Sequence, residues 1–116
     1  MNACLLEARV AMSNTSVSVV SLSGSLDINT VMDFETVIAD LFKQKRFKIV
    51  LNLEKLTYIS SAGIGVLIGS IKDFRKNHGD IKLSHVGPDI YKVFDLLELP
   101  RIFQLLKTEQ DAVNSF

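Results

Sequence analysis

Tyr58-Ile59-Ser60-Ser61-Ala62-Gly63-Ile64-Gly65-Val66-Leu67-Ile68-Gly69 is the stretch on which the reading of this chain turns. Upstream lies a short apolar run, Ile49-Val50-Leu51-Asn52-Leu53, with the character of a strand buried on both faces. Downstream, Ile64, Leu67, Ile68, Ile71 and Phe74 recur at spacings of three and four, which predicts a helix from about Ser61 to Asn77. Two serines therefore stand where a strand gives way to a helix. The first amides of a helix lack intrahelical partners, and a serine hydroxyl can satisfy one of them. The same place carries the positive end of the helix dipole, where negative charge is stabilised. A serine there is either a cap or a handle for a phosphate.

Working outward, Glu54-Lys55-Leu56-Thr57 reads as a linker between the apolar strand, which begins at Lys48, and the serines. Toward the N-terminus, Leu6, Ala8, Val10 and Met12 alternate with Glu7, Arg9 and Ala11, and Val17, Val19, Val20 and Leu22 mark a second strand. With the polar Ser13-Asn14-Thr15 between them they predict a hairpin. Gly24 to Thr30 is a loop, and Asn29 or Thr30 is placed to cap a helix whose buried face is Val31, Phe34, Val37, Ile38, Leu41 and Phe42. Toward the C-terminus, Gly79 is placed to take the left-handed position after the serine helix. Ile81 to Val86 is a strand, and Pro88 opens a helix buried through Ile90, Val93, Phe94 and Leu97. Leu99-Pro100 ends it. Ile102 to Leu106 is a short edge strand, and Thr108 caps a last helix toward Asn114. The order β-β-α-β-α-β-α-β-α predicts an α/β fold, with about five strands in a mixed sheet and helices as crossovers. The whole chain, 1–116, reads as one domain.

Composition narrows the function. Hydrophobic residues make up 47% of the 116, enough for a real core. Lys plus Arg and Asp plus Glu are 13 each, so net charge gives no case for nucleic acid or an anionic membrane. No run approaches the roughly 18 apolar residues of a membrane span. The lone Cys4 excludes an internal disulfide, and with His78 and His85 it does not make metal-ligand spacing. A cytoplasmic protein with no metal and no cofactor is the expectation. Gly63, Gly65 and Gly69 lie too far past Leu53 for a dinucleotide turn, and the reading for Gly65 and Gly69 is close approach of the helix to the sheet. Ser61 has no G-x-S-x-G context and no histidine placed to activate it, so hydrolytic chemistry is unsupported. Asp27 lies in a loop expected at the same end of the sheet as Ser61; it is either a turn residue or part of a site.

The segment from Ile49 to Leu67, the loop Gly24-Ser25-Leu26-Asp27, and the Lys82-Leu83, Pro88 and Val93-Phe94-Asp95-Leu96 positions resemble the STAS domains, specifically the bacterial anti-sigma factor antagonists. That resemblance implies a STAS fold and a non-enzymatic role. It places the phosphorylated serine at Ser61, with Ser60 as the lesser alternative because Ser60 replaces the family's aspartate. It implies a partner surface of Asp27, Asn29, Ser60, Ser61, Ala62, Gly63 and Ile64. The implied partners are an anti-sigma factor with serine kinase activity and a serine phosphatase. The alternative that the resemblance leaves is an accessory subunit or scaffold of a transporter or other signalling complex.

Overall fold

In a computed structural model, residues 4–116 are described, with side chains from residue 5 onward. Five strands form one sheet: β1 (Cys4–Val10), β2 (Val17–Leu26), β3 (Lys48–Ile59), β4 (Asp80–Ser84) and β5 (Leu105–Leu106). Their order in space is their order in sequence. β1 and β2 are antiparallel, and every later pairing is parallel. The crossovers are α1 (Val31–Lys43), α2 (Ser61–Lys76) and α3 (Pro88–Leu96), and α4 (Glu109–Asn114) follows β5.

Right-handed crossovers that always step in one direction must lie on one face of the sheet. The packing agrees. Phe34 and Ile38 of α1, Leu67 and Ile71 of α2, and Ile90 and Phe94 of α3 share one core with Val20, Leu22, Ile49, Leu51, Ile81 and Leu83. The alternate residues Val17, Val19 and Val50 point the other way and are covered by Ala112 and Val113 of α4. β3 is thus buried on both faces through its first half, which is why its sequence is an unbroken apolar run.

Short α4 is tied down from a distance. Glu109 pairs with Arg9 at 2.6 Å and accepts from Asn52 Nδ2 at 3.0 Å. Burial raises the Glu109 pKa, but hydrogen bonds from Arg9 and Asn52 and the charges of Arg9 and His85 outweigh it and hold the carboxyl below its usual range.

Three expectations need correction. The supposed linker Glu54–Thr57 is strand, since β3 runs on to Ile59 beside β2. Register slips between Ser21 and Ser23 and between Gly24 and Ser25 each leave one extra residue on β3, so that Leu53, Leu56 and Ile59 are buried and the residues between them are exposed. At the end of α2 the left-handed residue is His78 (φ 63°), not Gly79. Gly79 is required for a different reason: a Cβ there would overlap the Phe47 carbonyl, which accepts from Asp80 N. The edge strand expected over Ile102–Leu106 shrinks to Leu105–Leu106, because the 3-10 turn at Leu99–Arg101 runs on into Ile102 and Phe103, whose amides both donate to Leu99 O.

Candidate functional site

The site is built where β2 and β3 end together. Leu26 pairs with Ile59, and Leu26 O accepts from Ser60 N at 2.8 Å, so the loop after β2 and the start of α2 are bonded to each other. Ser60 is extended (φ −90°, ψ 169°) and is the N-cap of α2, its Oγ accepting from Gly63 N at 3.4 Å. Ser61 is the first helical residue and is exposed. Among the described residues its hydroxyl has no hydrogen-bond partner, and neither do the amides of Ser61 and Ala62. The two serines divide the tasks: one hydroxyl caps, the other is free.

Electrostatics distinguish this helix start from the others. Asp33 lies in the first turn of α1, Asp89 in that of α3, and Glu109 and Asp111 in that of α4. The first turn of α2 has no acidic side chain. The partial positive charge at its mouth is therefore not answered by a carboxylate of that turn. A group esterified to Ser61 Oγ would lie beside free amides, with no carboxylate in its own helical turn.

Of the other residues expected at the site, Asp27 and Asn29 share the neighbouring loop. Asp27 Oδ1 accepts from Asn29 N at 2.9 Å, the geometry of an Asx turn. Thr30 stands at the N-cap of α1 but makes no side-chain cap bond. Its hydroxyl instead accepts from Asp27 N at 2.9 Å and donates to Ser25 O at 2.8 Å, which locks the loop. Ala62 is half-buried. Gly63 and Ile64 face inward: Ile64 belongs to the core, and a Cβ at Gly63 would sit 2.9 Å from the Leu26 side chain and 3.1 Å from Ile59. They shape the site from beneath and offer no side-chain surface to a partner.

Close approach therefore belongs to Gly63, and the expectation for Gly65 and Gly69 is corrected. A Cβ at either meets nothing within 4 Å. Both line a shallow groove of about 400 Å³ with Glu35, Ala62, Val66 and Ser70. Glycine inside a helix costs about 1 kcal/mol against alanine. Gly65→Ala should accordingly raise stability by about 0.5–1 kcal/mol. That is a rise of about 2–4 °C in Tm for a domain of this size, measured by thermal unfolding followed by circular dichroism.

Three exposed apolar side chains lie on the elements that frame the serines, outside the residues expected at the site. Ile28 (73% exposed) lies in the Asp27–Thr30 loop, Met32 (75%) in the first turn of α1, and Tyr58 (53%) on β3 two residues before Ser60. Their signal was available: Ile28 is a large aliphatic between Asp27 and Asn29, and Met32 lies off the buried face of α1. Exposed apolar side chains of this size are groups that a partner could cover.

The domain thus carries an exposed hydroxyl at a helix mouth, with the strand before it hydrogen-bonded to the loop after β2. Among the described residues no metal-ligand cluster gathers there, and no helix is long and apolar enough to cross a membrane. The STAS domain model matches residues 9–112, and the chain belongs to that family. An anti-sigma-B factor antagonist of Staphylococcus aureus is 29% identical over 80 residues, covering 69% of this chain and 74% of its own length. The fold matches the crystal structure of an anti-sigma factor antagonist from Mycobacterium paratuberculosis (TM-score 0.86, 24% identity, 97% of this chain and 92% of that one). It also matches the Bacillus cell fate determinant SpoIIAA in its phosphorylated form (TM-score 0.70, 24% identity, 94% and 98%).

Proposed function

We propose that this protein is an anti-sigma factor antagonist switched by phosphorylation of Ser61. The observation that carries this reading is the exposed, unpartnered Ser61 hydroxyl on a helix whose first turn holds no acid. The family and the relatives named above support the partner class. Unmodified, the surface around Ser61, with Asp27, Asn29, Ile28, Met32 and Tyr58, docks on an anti-sigma factor and displaces its sigma factor.

That partner carries serine kinase activity. Ser61 Oγ attacks the γ-phosphorus of ATP, the bond from that phosphorus to the bridging oxygen breaks, ADP leaves, and the hydroxyl proton passes to a base on the kinase. The product bears about −1.5 to −2 charge at pH 7. Within this domain the free amides of Ser61 and Ala62 accommodate it. Against a fitted partner it must lose water and finds no room. A serine phosphatase hydrolyses the ester and resets the surface. This chain supplies the hydroxyl and the docking surface; the catalytic groups are the partner's.

Ser60 fits the modified position less well, since its oxygen is engaged as the cap and half-buried. Standing where relatives of the resembled type hold aspartate, Ser60 removes one negative charge beside the proposed phosphate.

The test is incubation with ATP and the co-purified kinase, followed by fragmentation mass spectrometry. One phosphate is expected on Ser61, lost in Ser61→Ala and kept in Ser60→Ala. A phosphate on Ser60, or none under a kinase active on another substrate, would refute the assignment.

A further inference from the structure

The outer edge of β1 has no strand beside it among the described residues, and its hydrogen-bonding groups can be identified. Ala11 N donates to Val17 O at 2.9 Å, and these two residues continue the β1–β2 register without a slip. In an antiparallel ladder such bonded pairs alternate with unbonded ones. Glu7 and Arg9 therefore bond inward to β2, while the N–H and C=O groups of Leu6, Ala8 and Val10 point outward. A row of unpaired backbone groups on an edge is a template for another strand.

The side chains indicate which strand fits. Consider β1 paired antiparallel with β1 of a second copy about a twofold axis. Centring the axis on Glu7 sets Glu7 against Glu7, and centring it on Arg9 sets Arg9 against Arg9. Like charges directly opposite are destabilising. Centring on Ala8 sets Glu7 against Arg9 of the other copy, twice, and Leu6 against Val10, twice. In that register the outward-pointing residues Leu6, Ala8 and Val10 meet one another, so every free donor on this segment finds an acceptor. Glu7 and Arg9 then fall at the unbonded positions, where side chains come closest, with Cα atoms about 4.5 Å apart. Val10, 47% exposed, gains cover.

We propose that two copies of this chain associate through β1, with the axis at Ala8, to form a continuous ten-stranded sheet. The contact is short, below the roughly 1,000 Å² of a standing interface, so the dimer is a reversible one.

Sedimentation equilibrium across a concentration series tests it. The wild type should move from monomer mass toward twice that mass. Ala8→Pro removes an outward N–H and no inward bond, a position where an edge strand tolerates proline. It should stay monomeric at every concentration with an unchanged circular dichroism spectrum. Glu7→Lys sets Lys against Arg9, and Arg9→Glu sets Glu against Glu7, so each alone should be monomeric. Because Arg9 also reaches Glu109 within its own chain, Arg9→Glu is built together with Glu109→Lys, which keeps opposite charges across that clasp. An equimolar mixture of the two charge variants pairs opposite charges at both positions and should dimerise. The mixture decides the matter even if Ala8→Pro fails to fold. A wild type that stays monomeric throughout, a dimer indifferent to a folded Ala8→Pro, or a mixture no more associated than its components would overturn the proposal.

Discussion

Ser61→Asp is expected to bind the proposed anti-sigma partner more than a hundredfold more weakly than the wild type, while melting at the same temperature or slightly above it. The two halves of that expectation have separate causes. Position 61 opens α2, where a carboxylate is favoured by the helix dipole by about 0.3–1 kcal/mol. The hydroxyl that it replaces makes no hydrogen bond to the described residues, so nothing internal is lost. In the proposed complex the same carboxylate would be desolvated, and an uncompensated buried charge costs about 3 kcal/mol or more. At about 1.4 kcal/mol per tenfold that is over two decades of affinity. Ser61→Ala removes only the proposed acceptor of phosphate. It should bind as the wild type does and no longer release when kinase and ATP are added. Titration calorimetry of both variants against the anti-sigma factor, with thermal unfolding alongside, checks the pair. Wild-type affinity in Ser61→Asp would place the partner surface elsewhere.

A large loss of stability should come from Phe74→Ala. Phe74 is 2% exposed at the end of α2 and stands edge-on to Phe42 (5.4 Å, 66°) and Phe47 (6.1 Å, 79°), which meet each other at 5.2 Å. Truncating a buried phenylalanine costs about 3–5 kcal/mol, and aromatic pairs in these geometries add about 0.5–1.5 kcal/mol each beyond burial. Domains are stable by only about 5–15 kcal/mol, so the variant should be close to unfolding at ordinary temperature. Urea titration should show a much lower midpoint at an unchanged slope. A loss below about 1 kcal/mol would mean that the trio is not the brace between α1, the start of β3 and α2 that its geometry describes.

The helices were legible from their spacing and the doubly buried strand from its unbroken apolar run, but Phe42 (37% exposed) and Leu97 (50% exposed, just past the end of α3) were expected on buried faces and are not there. The second half of β3 was not legible. Two extra residues opposite β2 turn the alternation of a strand into a repeat of three at Leu53, Leu56 and Ile59, and such a run resembles a linker. The glycines of α2 misled for a related reason. Gly63, Gly65 and Gly69 are alike on paper, and only the direction each faces shows that Gly63 lies against Leu26 while the other two look into open space. The place of the two serines was legible, since it follows from where the strand stops and the helical spacing begins. Which of them caps was not, because it depends on the extended backbone of Ser60 alone. The clasp from Arg9 to Glu109 joins residues a hundred positions apart, and no local pattern carries it.

Because each strand lies beside its predecessor, none has to be inserted between two that are already paired. A chain emerging from the ribosome can lay its sheet down by accretion, every new strand adding to the latest open edge, with its crossover helix closing over what is already in place. The seam joining Leu26 to Ser60 is then complete once β3 and the opening turn of α2 are out, well before β5 arrives. A nascent chain would thus present the serine in its working setting while its own C-terminal part was still being made.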